Sequence, residues 1–151
     1  MAVSKMTYND NKGFWIAESF MQLAYHYINE ELVKSQYILT DKDQLLKEIR
    51  FHINGYSVGS MSLGWGGFVE SSLEIQTMVQ VLENVKKTLN NKGTYISLSE
   101  LQSIPSQDTD LKISLNSPFP VSQLVKIMDA LIQMLKGLWT STNYNMEIDY
   151  F

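Results

Sequence analysis

Apolar residues recur at spacings of three to five along most of this chain. Ile16, Phe20, Leu23, Tyr27 and Leu32 do so between Lys12 and about Ser35, and Ala24 and Ile28 widen the stripe, which predicts an amphipathic helix. Tyr37-Ile38-Leu39 is a short apolar patch that suits a strand or a packed connection, and it is read as loop. Thr40 and Asp43 form an imperfect capping box, after which Leu45, Leu46, Ile49 and Ile53 predict a second helix from Asp41 to about Asn54. Gly55 suits the left-handed position that ends many helices, although continuation through Tyr56 towards Leu63 is an open alternative.

Five of the eight glycines, at positions 55, 59, 64, 66 and 67, fall within GYSVGSMSLGWGG and divide the chain near its middle. Beyond them Leu73, Met78, Leu82, Val85 and Leu89 predict a third helix, about Glu70 to Asn91, with Gly93 as its cap. Ser97 and Glu100 have capping-box spacing, so Leu98 to Ser103 is expected to form a short helix stopped by Pro105. The alternation in Leu111-Lys112-Ile113-Ser114-Leu115 predicts a short strand, with Thr94 to Ile96 or the C-terminal tail as its partner. Leu124, Ile127, Met128, Leu131, Ile132 and Leu135 mark a last helix from Pro120 to Lys136, with Gly137 just past its end. These elements imply one domain over residues 1–151, a small all-α bundle of four main helices with minor extended segments; α+β is the alternative.

Composition narrows the chemistry. With 44% apolar and 19% charged residues, the 151-residue chain is expected to fold unaided around one core. The absence of cysteine excludes disulfides, thiol nucleophiles and thiolate metal sites. The N-terminal segment MAVSKMTYNDNKGFW has no apolar signal-peptide core, and no apolar run approaches the roughly 20 residues a membrane span needs, so a cytoplasmic location is expected. Twelve basic against sixteen acidic residues give a net charge of −4. Arg50 is the only arginine, which argues against nucleic acid as a partner.

Several chemical sites are conceivable. His26 with Glu30, and Glu48 with His52, each share a helix face, but the Glu-x-x-His pattern of di-iron bundles is lacking, so they are read as surface or capping pairs and no metal or other cofactor is expected. Serines, acids and two histidines are present, yet the strained Gly-x-Ser-x-Gly elbow is read as missing, so Ser-His-Asp catalysis is not expected. Glu30-Glu31 and Asp108/Asp110 read most simply as solvated acids. The glycine-rich centre has no phosphate-loop pattern and no Lys or Arg from Phe51 to Asn84, which excludes nucleotide binding. Gly55 and Gly59 are expected to allow close packing or chain reversal, with Trp65 and Phe68 filling the core. The alternative is a partner-binding loop carrying Tyr56, Met61 and Trp65, side-chain types enriched at interface cores. The tail, with Trp139, Tyr144, Glu147, Asp149 and Tyr150, is read as docked, or else as an acidic aromatic contact surface through Glu147 and Asp149. Met21, Met78, Met128 and Met134 are expected to fill the core.

The helix FWIAESFMQLAYHYINEEL, a second helix, a glycine-containing centre and a helix ending NNKG span about the first hundred residues. In this layout the chain resembles the small, acidic, cysteine-free immunity proteins that bacteria encode beside polymorphic or contact-dependent toxins. The resemblance implies a protein that binds and neutralises a cognate toxin domain with no enzymatic chemistry of its own, and the acidic net charge suits a basic one. A helical subunit that forms a homo-oligomer and an enzyme with a scattered carboxylate or serine site remain as alternatives.

Overall fold

The computed structural model describes residues 2–8, 11–57, 59–62 and 65–150, with the side chain of Trp65 outside the description. The chain begins with a hairpin. In β1 (Val3–Thr7) and β2 (Gly13–Ala17), side chains alternate between core and surface with the two-residue period of a strand. The strands pair antiparallel, with Met6 opposite Phe14 and both fully buried. On the other face Lys5 opposes Trp15, its ammonium 5.9 Å from the ring centroid.

The chain turns directly from β2 into α1 (Glu18–Leu32), whose residues Ser19 to Ile28 are buried without a break, so this helix is the central post of the domain. The helix α2 (Lys42–Ile53) packs against it, and Gly55 follows in the left-handed conformation at φ 86°. The glycine-rich centre forms β3 (Ser60–Met61) and the one-turn α3 (Trp65–Phe68). Next comes α4 (Ser72–Asn90), opened by a reciprocal capping box between Ser71 and Glu74. Then follow β4 (Tyr95–Ile96), α5 (Leu98–Gln102) capped by Ser97, α6 (Thr109–Ser114) capped by Asp108, and β5 (Phe119–Pro120). The amphipathic α7 (Val121–Leu135) packs on α4 and α1, and β6 (Tyr144–Asn145) closes the chain. The strands form a mixed sheet in the order β3-β1-β2-β6, in which β3 and β6 run parallel to their neighbours, and β4 pairs with β5 separately.

The architecture is therefore α+β, and the all-α bundle expected from helical spacing is overturned by the mixed sheet. The first predicted helix fails over its opening residues for the same reason: Phe14 and Ile16 point inward at strand spacing because β2 pairs with β1. The predicted strand Leu111–Leu115 is helical instead. Leu111 and Leu115 are buried four residues apart, Ile113 is exposed, and the Asp108 carboxylate caps the turn. The partner foreseen for it, Thr94 to Ile96, pairs with Phe119–Pro120. Leu73, placed on the core stripe of the third helix, is 73% exposed, whereas Met21, Met78, Met128 and Met134 are all buried.

The tail is docked: the Trp139 Nε1 donates to the Gly13 carbonyl, and the Tyr150 hydroxyl bonds the backbone of Ser117. Among the described residues no helix is long and apolar enough to cross a membrane.

The hairpin rests on one close approach, because a Cβ on Gly13 would lie 1.8 Å from the Met6 carbonyl oxygen. Gly13→Ala is therefore expected to destabilise the fold by roughly 2 kcal/mol or more, while Gly67→Ala, whose Cβ meets nothing within 4 Å, stays within about 0.5 kcal/mol of wild type. Urea denaturation of both variants measures the difference, and equal midpoints would contradict the pairing described.

Candidate functional site

Three segments far apart in sequence meet at one corner of the fold: the start of α1, the turn after α2, and α6 with its cap. Between them lies a half-open cleft of about 370 Å³ lined by Ala2, Glu18, Ser19, Gln22, Gly55, Asp108, Asp110, Leu111, Ile113 and Ser114. Gln22 builds it. From its buried position on α1 the Gln22 amide donates to the carbonyls of His52 and Ile53 at the end of α2, and to Asp108 Oδ2 at 2.9 Å. The other Asp108 oxygen accepts from the Asp110 amide and so caps α6. Gly55 must be glycine here, because its φ is positive and a Cβ would lie 2.5 Å from Asp108 Oδ2.

Glu18, at the first turn of α1, shares the cleft with Asp108. One of its oxygens, Oε1, is shut off from solvent without a hydrogen-bond donor. Burial pushes the Glu18 carboxyl above the usual range, the Ser57 hydroxyl opposes that shift, and the Asp108 charge adds to it. Ser57 also lies within hydrogen-bond distance of His52 Nδ1. A hydroxyl carries one proton, which goes either to the imidazole or to the carboxylate, so Ser57 gives Glu18 at most one hydrogen bond. His52 is buried, stacks on Tyr25 at 5.3 Å, and is held below its ordinary pKa by burial, with the Ser62 backbone opposing.

No lysine or arginine lines the cleft. Among the described residues the positive features near it are the amino ends of α1 and the short α6, each equivalent to about half a charge at most, against three carboxylates. The corner is therefore acidic. Beside it Tyr56, next in sequence to Gly55, donates its hydroxyl to Gln107 and lies 5.2 Å from the Phe51 ring; the two rings are 52% and 50% exposed.

The chain matches no known protein family, no curated protein and no solved structure.

Of the residues singled out from the sequence, Tyr56 adjoins the cleft. Met61 is fully buried on β3 beneath the sheet edge, and the side chain of Trp65 lies outside the described residues. Glu147 and Asp149 are exposed on the tail, where the Glu147 carbonyl accepts from Lys126 and the Asp149 amide donates to Gln123, away from the residues lining the cleft. Asp108 is half-buried and bonded, not merely solvated, and Glu31 is buried, accepting from Lys34 and from the Tyr37 hydroxyl. His26 pairs with Glu30 at 3.3 Å, whereas His52 turns to Ser57, so the two helix pairs do not converge. Among the described residues no cluster of three His, Asp or Glu side chains could hold a metal ion.

Glu18 escaped sequence reasoning entirely. One signal was available for Ser57: GYSVG at 55–59 has Gly-x-Ser-x-Gly spacing. Its setting is reversed, however, since Ser57 follows α2 and precedes β3, where a nucleophile elbow joins strand to helix.

The folded state holds the Glu18 proton more tightly than the unfolded chain, so this group's contribution to stability falls as pH rises from the ordinary glutamate value of about 4.3 through the raised folded value. Above that window the cost is complete. Glu18→Gln is therefore expected to raise the melting temperature near neutral pH, with the gain vanishing below about pH 4. Melts at the two pH values measure this; a variant less stable than wild type at neutral pH contradicts it.

Proposed function

We propose that this chain is a protein-binding module that docks a basic partner on the corner formed by the acidic cleft and the Phe51–Tyr56 pair, without chemistry of its own. The observation that carries the reading is the cleft itself: Glu18, Asp108 and Asp110 stand there with no lysine or arginine among the described lining residues, beside two half-exposed rings. Aromatic side chains are enriched at interface hot spots, and uncompensated charge speeds association and selects a partner of opposite sign. The layout resemblance to immunity proteins narrows the partner to a toxin domain, blocked by being covered. On this reading the protein works in the cytoplasm, where it meets the toxin.

A catalytic reading has one observation in its favour, the contact between Ser57 and His52. It is the weaker of the two. Neither residue is among those lining the cleft, and the reversed setting of GYSVG removes the analogy to a nucleophile elbow.

The test is to mix the purified protein with the toxin domain encoded by an adjoining gene and measure both binding and inhibition. A complex that blocks the toxin supports the reading, and absence of both effects overturns it. In that complex Tyr56→Ala and Phe51→Ala are each expected to cost about 2 kcal/mol of binding, roughly thirtyfold in Kd, by calorimetric titration. Unchanged affinity in both variants would remove the aromatic pair from the interface.

A further inference from the structure

We infer that the cleft is the seat of one arginine side chain presented by the partner protein, an inference that rests on the docking reading above. The acidic corner alone would say only that a cation is welcome. A second observation makes the site more specific. Ser19 is 6% exposed, lines the cleft, and its Oγ has no hydrogen-bond partner, although a buried hydroxyl is ordinarily paired. Glu18 Oε1 is in the same condition a residue away.

The acceptors left over are thus a serine hydroxyl and a carboxylate oxygen, both closed to water in the free protein, which the guanidinium meets as the Glu18 and Ser19 side chains turn into the cleft, with the Asp108 carboxylate already holding Gln22 and the amide of Asp110. A guanidinium suits this set better than an ammonium. It carries five N–H donors in a flat fork that reaches several acceptors at once, it stays charged at any working pH, and it gives up water more readily. The cleft volume of about 370 Å³ accommodates one such side chain, and exposed Ile113 and buried Leu111 provide an apolar wall for its methylene stem. Gly55 contributes backbone alone to the lining, and a Cβ there would collide with the Asp108 carboxylate.

The experiment titrates the isotope-labelled protein with three acetylated tripeptide amides, glycine flanking arginine, citrulline or lysine, and follows backbone amide shifts. The arginine peptide is expected to move the amides of Ser19, Gln22, Asp110 and Ile113, saturating at roughly millimolar concentration. The citrulline peptide, isosteric but uncharged, is expected to leave them in place, and the lysine peptide to bind about fivefold or more weakly. Glu18→Gln and Ser19→Ala each weaken the arginine peptide, and the second variant, a small change in a buried position, guards against misfolding of the first. Silence of the cleft amides, or equal shifts with arginine and citrulline, overturns the inference. If the cleft stays silent while the toxin complex forms and depends on Tyr56, the arginine seat is wrong and the docking reading stands. If the arginine peptide binds while no toxin complex forms, the docking reading is the one that fails.

Discussion

The structure turns on the side-chain amide of Gln22. Two N–H groups face three acceptors, the carbonyls of His52 and Ile53 and the Asp108 carboxylate, so one proton is shared. Those contacts join the Gly55 amide on the His52 carbonyl and the Ser106 hydroxyl on the Ile53 carbonyl, and they tie the central helix to α2 and to the cap of α6 in one stroke. Hydrogen bonds to a charged acceptor are worth about 1.5–3 kcal/mol, and breaking one in a buried network leaves its partners unpaired. The same bond fixes where the Asp108 charge sits. A packing constraint thus becomes an electrostatic one, because it brings Asp108 next to Glu18 at the mouth of the cleft.

Holding two carboxylates together at a partly dry site opposes folding, and among the described lining residues no lysine or arginine answers the second of them. The cap on α6 and the Gln22 contact occupy Asp108, whereas Glu18 has at most the Ser57 hydroxyl, shared with His52. Several other acids meet a cation or a donor. Asp129 meets Lys86 at 2.6 Å, Glu100 meets Lys92, and buried Glu31 takes both Lys34 and the Tyr37 hydroxyl. Glu18 Oε1, in contrast, is shut off from solvent without a donor. Stability surrendered at one position is characteristic of a surface whose complement arrives with a partner.

How much of this was legible in the sequence depends on the range of the interactions. Helices α2, α4 and α7 follow from local spacing and caps, and Gly55, Gly93 and Gly137 take the left-handed conformation at their ends. The hairpin was hidden because GFWIA runs straight into a helix, so that Ile16 and Phe20 satisfy a helical period while Phe14 and Ile16 satisfy a strand. Only the pairing with Val3–Thr7 decides between them. Leu111 to Leu115 was ambiguous in the same way, since a spacing of four is compatible with either period, and the Asp108 cap settled it. Tyr56 could be picked out by residue type. The cleft could not, because Glu18 and Asp108 meet only through a tertiary contact mediated by Gln22, and no local pattern marks a carboxylate that lacks a donor.

Glu18 holds a carboxylate for which the described lining of the cleft supplies no lysine or arginine. The most direct measurement is the pKa of that carboxyl in the free protein, followed by carbon NMR of the side chain across the acidic range. The account predicts a value clearly above the ordinary glutamate value of about 4.3. A value at or below it would mean that the carboxylate is already satisfied, and would contradict the account.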